Sequence, residues 1–401
     1  MSRRIAVTGL GALSSVADSP EALWPALAAG RSGLKPIELF ALDGLPALLA
    51  GEIRPFDPKV YLGERNFRPV DRTSRLLLVA AQQALAASGW TAERRAASEV
   101  GLVLGTTFCS VRTIAEFDRR GQKLGPNYAS PMDFANSVIN AAAGQAAIWH
   151  DLRGVNTTVS CGEASGLAAI AYGVDALRRE DAQALLCGGV EELCFESYVG
   201  HLRAGRLARG EEPPVPFDAR RSGFALAEGA AALMLEREEA ACEREARVLG
   251  WVLGHGSAFS PDLAAARLAS GLSRAIGLAL ADAETAAEAI DCVFCGASGS
   301  VAGDRAEALG LAQVFGPRSL PVAAVKAQLG EALGASGALQ AVAALGTLNG
   351  HGLPGVPGLE PDPELPLEGV AAFWRELAAR RTLATAVSAD GHCHAVVFAA
   401  T

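Results

Sequence analysis

The sequence predicts an α/β protein whose strands alternate with helices. Short apolar runs rich in β-branched residues, such as Val100–Leu104, alternate along the chain with segments of helical period, such as Thr73–Ser88. This alternation favours a sheet in which most strands are parallel. A continuously apolar strand is also typical of a sheet that helices cover on both faces. The 401 residues, 50% of them hydrophobic, supply enough apolar surface for a large core.

In the first 250 residues, apolar runs that end in glycine predict strands, and runs with apolar residues at helical spacing predict helices. The predicted strands are Ile5–Thr8, Val100–Leu104, Asn156–Ser160 and Ala184–Cys187. The predicted helices are Ser19–Leu27, Thr73–Ser88, Phe108–Gly121, Ala135–Trp149 and one that carries Leu167–Leu177. Gly9-Leu10-Gly11 and Gly188-Gly189 are expected to form turns at the ends of their strands. Leu34–Arg68 is expected to be irregular, and Leu124–Phe134 and Arg206–Ser222 to be loops.

The second part of the chain repeats this order of elements. Strands are predicted at Val248–Leu253, Ile290–Phe294, Val322–Val325, Thr382–Ala386 and Ala395–Ala399. Helices are predicted at Ala264–Ala281, Arg305–Phe315 and Ala335–Leu348. A proline-rich loop at 353–366 precedes the last two strands. The echo between the two parts suggests an internal duplication.

The charge balance argues against a nucleic-acid partner. The net charge is −9 and the sequence pI is about 5.3, whereas phosphate binding needs basic patches. Two arginine clusters, around Arg72 and around Arg206, are interpreted as solvated surface charge. No run reaches the roughly 20 apolar residues that a membrane helix needs. We therefore expect neither nucleic acid nor a membrane span.

The cysteines and histidines predict neither a metal site nor a cofactor. The eight cysteines are scattered and lack the paired spacing of a zinc site. His392-Cys393-His394 falls on a predicted strand, where adjacent residues point to opposite faces, so strand packing is the interpretation we favour. Scattered thiols suit the reducing cytoplasm, which is the location we expect.

The stretch Val155–Gly166 is predicted to turn sharply from a strand into a helix. The β-branched residues before Cys161 suit a strand, and the apolar residues after Gly162 follow helical spacing. Such a turn can hold a nucleophile near a helix N-terminus. Cys161 lies before the turn and no histidine matches a partner position, so we interpret it as a structural thiol.

Four segments together resemble the β-ketoacyl synthases of the thiolase fold. They are Asn140–Gly166, Pro216–Ala230 with its P-F-D and G-F motifs, Gly303–Glu307, and Val325–Gly337. The resemblance extends from Arg4 to about Phe398. It implies a five-layer α-β-α-β-α fold built from two similar halves, with an N-terminal ketosynthase-like half at 1–250 and a C-terminal one at 251–401.

The resemblance also implies that the catalytic residues of the family are missing here. A working ketosynthase needs a cysteine at the elbow and two histidines that stabilise the developing enolate. Glu163 stands nine residues after Gly154, in the place of the cysteine. Gly296 stands eight residues before Asp304, in the place of the first histidine.

The second histidine is replaced as well. Its place, directly after Gly330, is taken by Glu331, and of the family's catalytic set only Lys326 remains. The family's C-terminal G-F-G-G-T-N also departs, because Ala389 stands in the place of the phenylalanine. We expect Glu163 to be satisfied by amides at the helix N-terminus, with Lys326 nearby.

These departures resemble the chain-length-factor branch of the family, which carries glutamine at the elbow where this chain has Glu163. The resemblance implies a non-condensing subunit that pairs with an active β-ketoacyl synthase, works on an acyl chain bound to an acyl carrier protein, and bounds the length of a polyketide or fatty-acid-like chain. Candidate residues for the tunnel wall are Phe108, Val111 and Ile114. Candidates for a partner-facing gate are Met132, Asp133 and Phe134.

Three other functions remain open from the sequence. A loading decarboxylase would use Glu163 to act on malonyl-carrier protein. A purely structural subunit would stabilise the ketosynthase without affecting the tunnel. An enzyme of thiolase type with other chemistry would form an acyl adduct on this chain. Product identity, the docking carrier protein and the choice between a dimer and a pair of dimers are not determined by the sequence.

Overall fold

The computed structural model describes residues 4–210, 212–316 and 319–401. The strands are β1 (Ile5–Leu13), β2 (Leu34–Pro36), β3 (Leu49–Gly51), β4 (Val100–Gly105), β5 (Asn156–Val159), β6 (Ala184–Glu191), β7 (Gly229–Arg237), β8 (Gly250–Phe259), β9 (Cys292–Phe294), β10 (Val322–Ala323), β11 (Arg381–Val387) and β12 (His392–Ala399). The helices are α1 (Pro20–Ala28), α2 (Pro58–Leu62), α3 (Arg72–Ser88), α4 (Ala92–Ala96), α5 (Val111–Leu124), α6 (Pro131–Phe134), α7 (Ala141–His150), α8 (Ser165–Arg178), α9 (Phe195–Arg203), α10 (Glu238–Glu243), α11 (Ala265–Asp282), α12 (Val301–Phe315), α13 (Lys326–Leu329) and α14 (Ser336–Gly346).

The elements form the five-layer arrangement that the resemblance implies. A first apolar cluster joins α3 and α7 to one face of strands β1, β4, β6 and β7. A second cluster buries α8 and α14 between the other face of these strands and strands β8–β12. A third packs α11 and α12 against the far face of strands β8–β12. The layer order is therefore helices, sheet, helices, sheet, helices.

Pairing between β1 and β8 joins the two halves into one ten-stranded sheet. The strand order is β10-β9-β11-β12-β8-β1-β7-β6-β4-β5. The strands β4, β5 and β6 are parallel to one another, as are β9, β10 and β11, but β7 and β12 pair antiparallel with their neighbours. The prediction of a mostly parallel sheet is thus wrong. A hairpin joins β11 to β12, and two strands joined by a hairpin run antiparallel.

Two predicted glycine turns are also wrong, because both strands run through their glycines. A Cβ at Gly11 would lie 1.9 Å from the carbonyl oxygen of Ala80 in α3, so glycine allows the helix to approach the strand. A Cβ at Gly188 would lie 1.9 Å from the carbonyl oxygen of Ala231 in β7. These glycines serve close packing and not chain reversal.

Other differences concern element ends and short elements. The helix predicted from Ala135 begins at Ala141, and the stretches predicted as irregular or loop contain β2, β3, α2 and the single turn α6. The strand predicted through Val325 ends at Ala323. Among the described residues, none of the helices combines the length and the apolar composition needed to cross a lipid bilayer.

Candidate functional site

The predicted elbow is confirmed, and its turn depends on glycine. β5 ends at Val159 and α8 begins at Ser165. Between them, Gly162 has φ +54, and a Cβ there would lie 2.1 Å from the Ser388 hydroxyl oxygen. The Ser165 hydroxyl accepts the Cys161 N–H at 2.9 Å and donates to the Gly162 carbonyl at 2.6 Å. These hydrogen bonds close the turn and direct the Glu163 side chain towards the interior.

The Glu163 carboxylate is held by groups from distant parts of the chain. Arg206 forms an ion pair with its Oε1 atom. The Ser388 hydroxyl donates to Oε2 at 2.6 Å, and the Ala389 N–H donates to the same oxygen at 3.1 Å. Lys326, which we expected nearby, pairs with Glu331 on the other wall of the same site. Arg206 is the cation that balances this buried carboxylate.

The surroundings of Glu163 keep it ionised. Burial alone would raise the pKa of its carboxyl. The positive charge of Arg206 and the hydrogen bonds from Ser388 and Arg206 outweigh burial and lower the pKa to about 2. The carboxylate is therefore a permanent negative charge at neutral pH and can only accept hydrogen bonds.

The opposite wall of the site carries a second buried ion pair. The Lys326 Nζ donates to Glu331 Oε2 at 2.7 Å and to the Gly296 carbonyl at 2.9 Å. Both side chains are 3% exposed. The other oxygen of Glu331 accepts the Ser336 hydroxyl at 2.7 Å and the Leu333 N–H at 3.0 Å. The ammonium and the carboxylate are thus committed to each other and to neighbouring backbone.

Two further acids lie behind Gly296. Glu307 accepts the Gly296 N–H at 3.1 Å and the Thr385 hydroxyl at 2.9 Å, and burial raises its pKa to about 7. Asp304 accepts the N–H groups of Phe217 and Ser298 at 2.9 and 3.0 Å, and burial raises its pKa to about 6. Asp304 therefore fastens the P-F-D loop to the start of α12.

These walls enclose a cavity of about 270 Å³. Its lining includes Glu163, Arg206, Gly296, Glu331 and Ala389. Within the described residues that line it there is neither a thiol nor an imidazole. The arrangement offers a carboxylate, a guanidinium and backbone groups, which can bind polar groups but supply no nucleophile of the thiolate kind.

Cys161 lies next to the elbow, but its thiol is a weak candidate for a nucleophile. Burial and the charge of Asp390 raise its pKa above the ordinary value. A thiol with a raised pKa is mostly protonated at neutral pH and reacts slowly. This agrees with its interpretation as a structural thiol.

The predicted tunnel residues lie outside this cavity, on the loop after β4 and on α5. The Phe108 side chain is 41% exposed and its N–H donates to Glu191 at 2.9 Å. Val111 begins α5, and Ile114, one turn further along that helix, is 36% exposed. The neighbouring Thr107 hydroxyl donates to the Gly162 carbonyl at 3.0 Å, so this loop touches the elbow.

The predicted gate residues lie on the short helix α6. Met132 and Phe134 are exposed, and the Phe134 ring packs against Phe117 of α5 with 5.8 Å between ring centroids. Asp133 forms an exposed ion pair with Arg120 at 3.4 Å. Met132 and Phe134 belong to a series of exposed apolar side chains between residues 108 and 148 that we call the apolar face. Its members are Phe108, Ile114, Leu124, Tyr128, Met132, Phe134, Val138, Ile139 and Ile148.

The sequence pattern did not identify Arg206 and Ser388 as parts of the site. Arg206 was assigned to a solvated surface cluster, yet its side chain reaches the buried carboxylate. The sequence did contain one indication of such partners, because a carboxylate on a buried elbow needs a cation or several hydrogen-bond donors. The pattern did not say which of the arginines in the chain supplies that charge.

Family models match most of the chain. The model of the β-ketoacyl synthase N-terminal domain matches residues 2–241, and the model of the C-terminal domain matches residues 246–360. A ketoacyl synthase beta subunit of tetracenomycin polyketide synthase from Streptomyces glaucescens is 35% identical, over 98% of this chain and 97% of the relative. The 3-oxoacyl-[acyl-carrier-protein] synthase 2 of Coxiella burnetii is 31% identical, over 94% of this chain and 93% of the relative.

Solved structures share the whole fold. The ishigamide ketosynthase/chain length factor superposes with a TM-score of 0.92 at 28% identity, with 100% of both chains covered. A β-ketoacyl synthase from Burkholderia phymatum superposes with a TM-score of 0.90 at 25% identity, again with 100% of both chains covered. The similarity therefore extends over both halves.

Proposed function

The chain belongs to the β-ketoacyl synthase family, and within that family we propose that it is a condensation-incompetent subunit of the chain-length-factor kind. It pairs in the cytoplasm with an active ketosynthase that elongates an acyl chain on an acyl carrier protein, and it shapes the tunnel that receives the chain. The observation that carries this proposal is the Glu163–Arg206 ion pair, which occupies the elbow where a ketosynthase needs a thiol.

The elbow carries a carboxylate in the place of the nucleophile. Condensation begins when a thiolate takes the acyl group from a thioester. The Glu163 carboxylate is a poor substitute, because the acyl anhydride that it would form is high in energy. Its two oxygens are also occupied by Arg206, Ser388 and Ala389. A covalent acyl intermediate on this chain is therefore disfavoured chemically and sterically.

The site is also poorly suited to stabilise an enolate. Decarboxylation of a malonyl unit develops negative charge that needs hydrogen-bond donors, and the loss of one such donor typically costs about 100- to 1,000-fold in rate. Gly296 has no side chain to donate. Glu331 adds a negative charge, and the nearby ammonium of Lys326 is paired with it. Neither of the two positions where the family has a histidine therefore supplies a hydrogen-bond donor to the enolate.

One end of the sheet is suited to bind a partner. β5 is an end strand of the sheet, and its side chains are exposed or half-buried. The opposite end strand, β10, is covered by the later chain, since Val322 pairs with Val370. An open strand edge can pair with another chain, and a run of exposed apolar side chains marks interfaces. The apolar face precedes β5 in the sequence, on helices α5–α7 and the segments next to them, which supports a partner at this end.

The loop after β4 supports a role in tunnel shape. It contacts the elbow through Thr107 and continues into the exposed side chains of Phe108 and Ile114. The loop and α5 thus lead from the elbow to the apolar face. In the proposed heterodimer, Phe108, Val111 and Ile114 bound the tunnel, and Met132, Asp133 and Phe134 face the partner as a gate. The similar ishigamide ketosynthase/chain length factor structure supports the pairing itself.

The decarboxylase alternative is less well supported. A group that assists decarboxylation through a hydrogen bond must donate to the enolate oxygen. The pKa of Glu163, lowered to about 2 by Arg206 and Ser388 against the effect of burial, leaves the carboxylate without a proton to donate. No observation favours this function over the proposed one.

The proposal is tested by reconstitution with a co-expressed ketosynthase, a carrier protein and malonyl-carrier protein. We expect a stable heterodimer, acyl adducts on the partner only in intact-protein mass spectra, and no condensation or release of carbon dioxide by this chain alone. We also expect the Glu163→Cys variant to show no condensation activity, because Gly296 and Glu331 still stand in the places of the two histidines. A stable homodimer that ignores the ketosynthase, or an acyl adduct on the natural chain, would contradict the proposal.

A further inference from the structure

Three side chains that bind soft metals meet beside the elbow. They are Cys161 at the end of the β5 segment and His392 and His394 on β12. Their ligand atoms all lie within 4.8 Å of one another. None of the three lines the cavity around Glu163, so this cluster is separate from the site described above.

The alternation of strand β12 explains why the two histidines converge. Side chains two residues apart on a strand share a face. His392 and His394 therefore point to the same side as Val396 and Phe398, which pack in the central layer with Cys161. Cys393 points to the other side, where its thiol approaches the Leu268 carbonyl of α11 at 3.8 Å. Adjacent residues on β12 do point to opposite faces, as the sequence predicts. His392 and His394, however, are two residues apart and share a face.

One histidine of the cluster is buried with an unused nitrogen. His394 is 8% exposed, and its Nδ1 atom has no hydrogen-bond partner in the described part of the chain. A buried polar atom without a partner is destabilising. Burial, with the charges of His392 and His255, lowers the pKa of His394 to about 4, so its ring is neutral and offers a lone pair at neutral pH.

We propose that Cys161, His392 and His394 form a binding site for a transition-metal ion of the zinc class, with water as the fourth ligand. Sulfur and imidazole nitrogen suit Zn²⁺ and related ions and do not suit Mg²⁺ or Ca²⁺. In a tetrahedral zinc site, neighbouring ligand atoms are about 3.3–3.7 Å apart, given the usual Zn–S and Zn–N distances. The 4.8 Å bound places the three ligand atoms near enough to share one ion, and binding would draw them together to these distances.

The chemistry of binding balances simply. The Cys161 thiol loses one proton to solvent when its sulfur bonds the metal, and the two neutral imidazoles replace water in the metal's coordination shell. No oxidant or reductant is needed.

The bound ion would act as a clamp between the two halves. Cys161 belongs to the elbow, whereas His392 and His394 follow the β11–β12 hairpin that supplies Ser388 and Ala389 to Glu163. The metal would therefore fix the hairpin against the elbow from the side away from the cavity. This inference is independent of the proposed function.

Cobalt titration of the full-length, chelator-treated chain tests the site. We expect one equivalent of Co²⁺ to bind with a thiolate-to-cobalt charge-transfer band, and Zn²⁺ to displace it and raise the melting temperature. Cys161→Ser should abolish the band. His392→Gln, a change at a half-buried residue, should weaken binding by about 100-fold or more, since even outer-shell changes cost 10- to 100-fold. Cys242→Ser, at an exposed cysteine on α10, is the matched control and should bind as the natural chain does.

Protection from alkylation gives a second readout that needs no variant. With Zn²⁺, Cys161 should react with a thiol reagent more slowly than without it, whereas the rate at Cys242 should not change. A chain that binds no stoichiometric Co²⁺ or Zn²⁺ would overturn the proposal. So would a charge-transfer band that survives Cys161→Ser, since the thiolate would then come from another cysteine.

Discussion

The side chains of the cavity have partners within the chain, whereas those of the apolar face are exposed. In the cavity, Glu163 and Glu331 are each held by a cation and by further donors from the same chain. On the apolar face, Ile148 is 82% exposed and Phe134 is 64% exposed. The charges in the cavity are therefore balanced within the chain, whereas the apolar face leaves large apolar side chains exposed. This difference is what a subunit that has lost catalysis but kept its partner would need.

The largest effect should follow from breaking the Lys326–Glu331 pair. Lys326→Met leaves the Glu331 carboxylate buried without its cation, and the loss of one partner of a buried ion pair costs about 3–5 kcal/mol. Urea unfolding followed by circular dichroism measures this. Arg120→Gln, which breaks an exposed pair with Asp133, is the control and should cost less than about 1 kcal/mol. Equal, small losses for both variants would show that the cavity pair does not stabilise the fold.

The next effect should appear on the apolar face and only in the complex. Ile148→Asp should leave the stability of the free chain nearly unchanged, because the side chain is 82% exposed there. It should weaken binding to the ketosynthase by about 30-fold or more, equivalent to a loss of about 2 kcal/mol at an interface hot spot. Titration calorimetry measures the affinity. Phe373→Asp, also at an 82% exposed side chain but in the C-terminal half, should bind normally. Normal binding by Ile148→Asp would move the interface elsewhere.

A smaller effect is expected at Glu163. Its folded pKa of about 2 lies below the ordinary 4.5, so ionisation of Glu163 stabilises the folded state above about pH 4.5, and this contribution is lost as the pH falls towards 2. Glu163→Gln removes the charge that pairs with Arg206, and we expect a loss of about 1–2 kcal/mol at pH 7. The difference between the two proteins should shrink below pH 4.5 in pH-dependent unfolding curves. A difference that stayed constant down to the acid limit would contradict the ion-pair assignment.

The smallest effect is expected at Glu192, which lies between the two regions. This acid is buried at the end of β6, and it accepts the Arg112 N–H of α5 at 3.2 Å. Burial, together with the Asp71 charge, raises its pKa to about 8, so the folded state loses stability as the pH rises from about 4.5 towards 8. Glu192→Gln should therefore match the natural chain at pH 5 and be more stable by about 1 kcal/mol at pH 9. Thermal melts at both pH values test this, and equal melts at pH 9 would count against it.

How far the sequence predicts the molecule depends on the range of the interaction. The elbow could be predicted because the change from β-branched residues to helical spacing is local to Gly162. The partners of Glu163 could not, since Arg206 and Ser388 lie 43 and 225 residues further along the chain and only the fold brings them together. Gly11 was assigned to a turn because a glycine that admits a helix and a glycine that reverses the chain look alike in sequence.

The central claim is that this chain shapes the tunnel without catalysing condensation, and one substitution on α5 tests it most directly. Ile114→Trp adds bulk at a side chain that is 36% exposed in the free chain and that we assign to the tunnel wall. The measurement is the product length made by the reconstituted heterodimer, with the affinity of the two subunits determined in parallel. The account predicts shorter products from an intact heterodimer. An unchanged product distribution from an intact heterodimer would contradict it and leave this chain as a stabiliser only.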